Sequence, residues 1–189
     1  DCLLSRGLGD VYKRQAYKVT LVAREDASVE DVALRTHLAS GVGRYMMGLG
    51  EKGGYCPNDL RWKWDVEKNQ DAVWVGDVNA GIQIRLYDNK YERPLNTNFY
   101  HQKPLHMPVS WCNAGNGGID IHNAADGTRI NAYSGKRSVK KGDRLYYYFN
   151  LALTPFRPID TDKQWRERYH HNYEFLDGIQ TVSYTHLTL

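Results

Sequence analysis

Gly48-Leu49-Gly50-Glu51-Lys52-Gly53 has the glycine spacing of a dinucleotide-binding turn. That chemistry needs a strand before the turn and a helix after it, so that backbone N–H groups at the helix start meet the pyrophosphate. Gly54, Tyr55, Cys56 and Pro57 follow instead and forbid the helix. The glycines are read as letting a loop cross a sheet with positive φ. A different chemistry is offered by Arg61-Trp62-Lys63-Trp64-Asp65, where Trp62 and Trp64 fall on one face of an extended segment. Indole faces stack on the apolar faces of sugar rings; two such indoles also pack onto a loop and leave Lys63 in solvent. Asn96, Asn98 and Tyr100 form a second candidate set, with Trp111 as a platform. Their amides and phenol suit sugar hydroxyls, and Asn side chains equally satisfy backbone groups in irregular loops. The candidate substrate-binding residues are therefore Trp62, Trp64, Asn96, Asn98, Tyr100 and Trp111.

Other chemistries lack a local signature. His101, His106 and His122 have no metal-ligand spacing with Cys or carboxylates. In His170-His171 adjacent residues point apart, so no metal site is expected. Asp71, Asp77, Asp120 and Asp126 are single carboxylates near turns. A glycosidase needs a pair about 5 to 10 Å apart across the bond, and no such pair is expected. No nucleophile elbow occurs, no catalytic residue is assigned, and no cofactor is expected. Cys56 and Cys112 lack CxxC spacing and read as two unrelated buried thiols.

The two ends carry another signal. Ser5 to Gln15 is the in-frame translation of a tagmentation adaptor, and Val182 to Leu189 translates the reverse complement of its mosaic end, continued into the opposite adaptor. Residues 1–15 and 182–189 are thus expected to be artefacts around a native segment of 166 residues, Ala16–Thr181 (181 − 15). Removing Arg6, Lys13, Arg14, Asp1 and Asp10 from the 25 basic and 22 acidic residues leaves 22 and 20. A sandwich is expected over 16–160, and a helix or linker into a truncated domain over 161–181.

The elements that must position these residues are strands. Tyr17, Val19 and Leu21 alternate with Lys18, Thr20 and Val22. Val32, Leu34, Thr36 and Leu38 do the same, as do Ile82, Ile84 and Leu86 against Gln83, Arg85 and Tyr87. Gly76-Asp77-Val78-Asn79 and Ala125-Asp126-Gly127-Thr128 mark hairpins. Lys140-Lys141-Gly142-Asp143 leads into the longest strand, with Leu145, Tyr147, Phe149, Leu151 and Leu153 on one face. Ser40–Asp59 and Asn89–Gly118 are expected to be long irregular loops. A helix starts near Thr161, capped by Asp160 or Thr161. About eight to ten short strands with turns between them describe an all-β antiparallel sandwich. A net charge of +3 gives no reason to expect a nucleic-acid partner, and no apolar run is long enough for a membrane span. Tyr (14) and Trp (5) outnumber Phe (4), which suits half-wet sheets and carbohydrate-facing surfaces alike.

Several strings occur in an order that resembles one family. They are Met47-Gly48-Leu49-Gly50-Glu51-Lys52-Gly53-Gly54-Tyr55, Trp62-Lys63-Trp64-Asp65, Arg93-Pro94-Leu95-Asn96-Thr97-Asn98-Phe99-Tyr100, Lys103-Pro104-Leu105 and Leu153-Thr154-Pro155-Phe156-Arg157-Pro158-Ile159-Asp160. Over roughly Arg44 to Tyr173 the chain resembles the N-terminal β-sandwich of enzymes similar to glycoside hydrolase family 123. The resemblance implies a following (β/α)8 barrel that packs on the sandwich, acts on glycans and carries the chemistry. It implies removal of terminal β-linked N-acetylgalactosamine by a substrate-assisted retaining mechanism, with an Asp-Glu pair beyond Thr181. It also suggests a periplasmic or extracellular setting. A self-standing carbohydrate-binding module and a purely structural sandwich are the alternatives.

Overall fold

Alternation of apolar and polar side chains builds almost every element. The computed structural model describes residues 2–6, 14–64, 72–90, 107–155 and 160–166. Its strands are β1 (Cys2–Arg6), β2 (Arg14–Val22), β3 (Ala27–Val29), β4 (Ala33–Ala39), β5 (Tyr45–Gly48), β6 (Glu51–Tyr55) and β7 (Asp59–Lys63). They continue with β8 (Ala72–Asp77), β9 (Ala80–Tyr87), β10 (Gly118–Ala124), β11 (Gly127–Tyr133), β12 (Arg137–Val139) and β13 (Arg144–Thr154). Helix α1 (Val109–Cys112) precedes β10, and α2 (Thr161–Arg166) follows β13. The chain falls into two compact units, Asp1–Pro158 and Ile159–Leu189. In the second, Asp160 Oδ1 accepts the N–H of Lys163 at 3.0 Å and so caps α2.

The fold is all-β and antiparallel. One sheet has seven strands in the order β1-β2-β13-β9-β8-β5-β6, a second has four, β4-β11-β10-β7, and β12 pairs with β3. The inner faces of the two large sheets supply one core. Val73, Val75, Ile82, Ile84, Leu86 and Tyr147 come from the first, and Trp62, Ile119, Ile121, Ile130 and Ala132 from the second. Both expected hairpins form, with Asp77 opposite Ala80 and Ala124 opposite Gly127. Strand β1 lies in the stretch read as adaptor-derived. It pairs with the outer edge of β2, and an open edge accepts any extended segment.

Ser40–Asp59 departs from the expected irregular loop. It holds the β5–β6 hairpin, whose turn residues Leu49 and Gly50 have φ of 55° and 77°. Positive φ at both positions is the geometry of a tight two-residue hairpin turn. Alternation over strands this short is too brief to register in the sequence. Gly48 has no alternative: a Cβ there would lie 2.3 Å from the carbonyl oxygen of Ala72. The stripe on β13 is inward at Leu145, Tyr147, Phe149 and Leu151 but reaches solvent at Leu153, which is 50% exposed.

The centre of the seven-stranded sheet is β13. It pairs with β2 over Arg144–Ala152 and with β9 only from Tyr148 onward. Where β9 ends, α1 supplies the missing partners. Ser110 Oγ accepts the N–H of Tyr146 at 2.8 Å, and Trp111 Nε1 donates to the carbonyl of Tyr148 at 3.0 Å. Across the sandwich, Tyr147 Oη donates to Ser134 Oγ at 3.2 Å, which joins the two large sheets through a fully buried polar contact.

Two outcomes follow from this packing. Trp111→Phe keeps much of the volume but leaves the Tyr148 carbonyl without its donor. A loss of about 2–4 kcal/mol in urea unfolding is expected from the orphaned carbonyl and the smaller ring together. The second concerns alkali. Burial raises the pKa of the Cys56 thiol above 9.0 and of the Tyr87 and Tyr147 phenols above 10.0, with the neighbouring Tyr148 adding to the shift at Tyr87. The fold therefore holds their protonated forms. Their contribution is complete below the unfolded pKa values and is lost as pH rises through the folded ones. Melting temperature should fall from about pH 9 upward, and Tyr147→Phe should shallow that slope while lowering the neutral-pH value.

Candidate functional site

The three tryptophans expected to face sugar face the core. Trp62, Trp64 and Trp111 are 4%, 8% and 1% exposed. The indoles of Trp62 and Trp64 meet edge to face with centroids 4.9 Å apart. Trp111 meets Tyr147 in the same way at 5.0 Å. The reading of an exposed platform is corrected by the register. Trp62 shares the inner face of β7 with Leu60, opposite Ile119 of β10, so the side that carries both indoles is the buried one. Asn96, Asn98 and Tyr100 lie outside the described residues, as do Asp71, His101, His106 and His170-His171. His122 is exposed and its Nδ1 lies 2.7 Å from Asp59 Oδ1 across β10 and β7. Cys56 and Cys112 are buried free thiols. Among the described residues no His, Cys, Asp and Glu group could hold a metal ion, and no helix is long and apolar enough to cross a membrane.

The stretch that carries Asn96, Asn98 and Tyr100 is clasped at its base. Asp88 is 4% exposed, and its two oxygens close the gap from both sides. Oδ1 accepts the N–H of Lys90 at 2.9 Å, and Oδ2 accepts the N–H of Val109 at 3.0 Å. One buried carboxylate thus fixes where the segment leaves β9 and where it enters α1. Sequence reasoning passed over Asp88, although an Asp directly after an alternating strand and before a long Asn- and Pro-rich stretch is a signal for such a turn.

The outer face of the seven-stranded sheet is the second feature that the pattern half revealed. Opposite Ile82, Ile84 and Leu86, β9 carries Gln83, Arg85 and Tyr87. Register sets Asn150 of β13 beside Arg85, Ala152 beside Gln83, and Trp74 of β8 on the other side of Gln83. Gln83, Arg85, Asn150, Ala152 and Arg14 line a depression of about 270 Å³. The methyl of Ala152 makes the surface low there. Tyr87 Oη donates to Asn150 Oδ1 at 3.2 Å, which leaves the amide N–H groups of Asn150 for another partner. Beside the depression Trp74 Nε1 donates to Thr154 Oγ1 at 2.8 Å. Its indole lies over Gly81, where a Cβ would come within 3.0 Å of it. The lining has a guanidinium from Arg85 and two amides, and no nucleophile, acid or base.

The comparisons with known proteins meet this geometry. Residues 14–155 match the family model described as glycoside hydrolase 123, third domain, and the chain belongs to the glycoside hydrolase 123 family. The chain is similar to a solved structure, the Slr1438 protein from Synechocystis sp. PCC 6803, at 8% identity and a TM-score of 0.43. That likeness covers 80% of this chain and 54% of the other, so this chain spans about half of that structure. No curated protein matches the chain.

Asp88→Ala should leave two part-buried backbone N–H groups without their acceptor and cost about 1–3 kcal/mol in all. Limited proteolysis should then cut between Lys90 and Val109 at protease levels that leave the parent chain whole. Equal resistance of the two would show that the clasp does not hold the segment.

Proposed function

We propose that this chain is the non-catalytic sandwich of a glycoside hydrolase that removes terminal β-linked N-acetylhexosamine, of the N-acetylgalactosamine type. The family match over residues 14–155 carries this reading, because it spans the sandwich from the start of β2 to the end of β13. A neighbouring (β/α)8 barrel would supply the Asp-Glu pair, and the acetamido group of the substrate would attack its own anomeric carbon. The family description numbers this module third; a place on the N-terminal side of a barrel, and packing on that barrel, belong to this reading. Residues 1–15 and 182–189 remain assigned to adaptor sequence, and the start of the match at Arg14 lies two residues from that boundary.

How the chain uses its carboxylates supports a structural role. Asp31 accepts the N–H groups of Ser134 and Gly135, and Asp26 accepts that of Lys141. Asp143 accepts Lys140 N–H, Asp77 accepts Val78 N–H, and Asp88 closes the segment described above. These groups hold turns and strand ends. A carboxylate committed to backbone N–H donors serves to hold the chain at that place.

The test uses an aryl N-acetyl-β-galactosaminide. The isolated chain should release no phenol, whereas the parent gene, read past Thr181 and expressed whole, should hydrolyse it and should encode an adjacent acidic pair. Turnover by the isolated chain would remove the chemistry from the barrel and overturn the proposal.

A further inference from the structure

We propose that the outer face of the seven-stranded sheet binds a neutral pyranose ring on the indole of Trp74, with Tyr45 and Gln83 beside it. That the ligand is a sugar rests on the glycosidase reading above; the platform itself is read from the geometry.

Trp74 differs from the three core indoles. It is partly exposed, while its neighbours Val73 and Val75 on β8 are buried in the core. Gly76 lies two positions on and shares the outer face, with Gly81 of β9 directly opposite it. A Cβ on Gly76 would come within 2.8 Å of the indole, and one on Gly81 within 3.0 Å. The ring therefore lies across both glycines, whose missing side chains make the room for it. Its Nε1 donates to Thr154 Oγ1 at 2.8 Å, on the far side of Gly81. The one polar atom of the indole is thus tied to the sheet, and ring surface is what it offers a ligand.

The glycine-rich hairpin β5–β6 supplies the flank. Tyr45 stands opposite Gly76, so it borders the ground that the indole covers. Tyr55 stacks on Tyr45 with centroids 5.3 Å apart, and the guanidinium of Arg44 lies 5.2 Å from the Tyr45 centroid, so this ring is held in place. Tyr55 is 74% exposed, and Met47, opposite Trp74, is 54% exposed. On the other side of Trp74, Gln83 of β9 is exposed and directly paired with it. A pyranose has C–H groups on its ring faces and hydroxyls around its rim. Trp74 suits the first, while the Gln83 amide and the Tyr45 phenol, each donor and acceptor, suit the second. Neither rim group is charged, which selects a neutral ring. Paired strands hold all three residues, and all lie inside the segment read as native. A protein partner fits this place less well. A stable interface takes about 800 Å² from each side. Trp74 and Tyr55, at about 150–250 Å² each, fall short of that, and Gly53, Gly76 and Gly81 add no side chain.

Nitrogen-15 NMR on the isolated chain tests this through the assigned indole N–H of Trp74. Methyl N-acetyl-β-galactosaminide should shift that signal and the Gln83 side-chain amide along a saturating curve, while the indole signals of Trp62 and Trp111 stay still. Glycerol, a polyol without a ring, should shift none of them at the same concentrations. Trp74→Ala should weaken binding about ten-fold by calorimetry, and Trp74→Phe, which keeps a smaller ring, about three-fold. The NMR mapping uses no variant, so it decides the matter even where Trp74→Ala does not fold. An unmoved Trp74 signal, an equal response to glycerol, or unchanged affinity in a folded Trp74→Ala chain overturns the proposal. So does broadening of the Trp74 signal with protein concentration in the absence of sugar, which would mark the face as a contact between protein chains. Because the glycosidase reading is tested by hydrolysis with the whole parent protein, its failure and this one are separable.

Discussion

The strand β13 imposes the constraint on which the sandwich depends. A central strand must have partners along both edges, since an unpaired buried N–H or C=O costs about as much as the hydrogen bond it lacks. Over Tyr148–Thr154 the partner is β9, but β9 stops at Tyr87. The ladder is completed by a hydroxyl and an indole, Ser110 and Trp111, from a helix only four residues long. The position of α1 is therefore dictated by backbone chemistry in a strand remote in sequence. Trp111 fills this place because an indole combines a large apolar surface with one donor at its rim. Once it is there, Tyr147 packs against its face and reaches Ser134, whose hydroxyl also accepts the N–H of Val32. The two sheets are thus tied by polar contacts at one end and by aliphatic packing through the middle.

The same dependence runs back to Asp88. Its carboxylate takes the first N–H of α1 while also fixing the turn after β9. A single acid thereby sets the start of the helix that completes β13. Arg137 strengthens the arrangement from the far side, donating to the carbonyl of Ser110 at 2.6 Å. Asn113, with a left-handed φ of 44°, turns its amide onto the carbonyls of Ser134 and Lys136 at 2.8 and 3.0 Å. These contacts join positions far apart in the chain. A concentrated set of polar ties thus holds both ends of the chain between β9 and α1.

Much of the fold was legible because its signals are local. Alternation in Gly81–Tyr87 and Arg144–Leu153, and the Asp126-Gly127 turn, carry their structure within a few residues. Asp160 three residues before Lys163 likewise announces its cap. What remained hidden depends on neighbours. Trp62 and Trp64 share a face by period, but only the pairing of β7 with β10 shows that this face is inward. The alternation that grouped Gln83, Arg85 and Tyr87 did not reveal Asn150 and Ala152 beside them, because β13 is more than sixty positions away. Short strands such as β5 and β12 contain too few residues for a period to register. Sugar-like composition was attached to the wrong surface: aromatic content measures how much apolar area a chain must place, and here the core claimed three of the indoles.

The distribution of acids and bases completes the physical argument. Five acidic side chains of the described sandwich, Asp26, Asp31, Asp77, Asp88 and Asp143, receive backbone N–H groups at turns and strand ends, while Asp59 and Asp120 lie on the four-stranded sheet. Basic side chains remain on the flat of the seven-stranded sheet, where the ladder already consumes the backbone donors and leaves no such work. Separation of this kind arises whenever carboxylates are recruited to loops, and it leaves a strand-borne face cationic by default. A scaffold organised in this way commits these carboxylates to backbone N–H groups rather than to one another. It is well suited to presenting rigid donors, because strands paired on both sides do not allow the side chains they carry to drift apart.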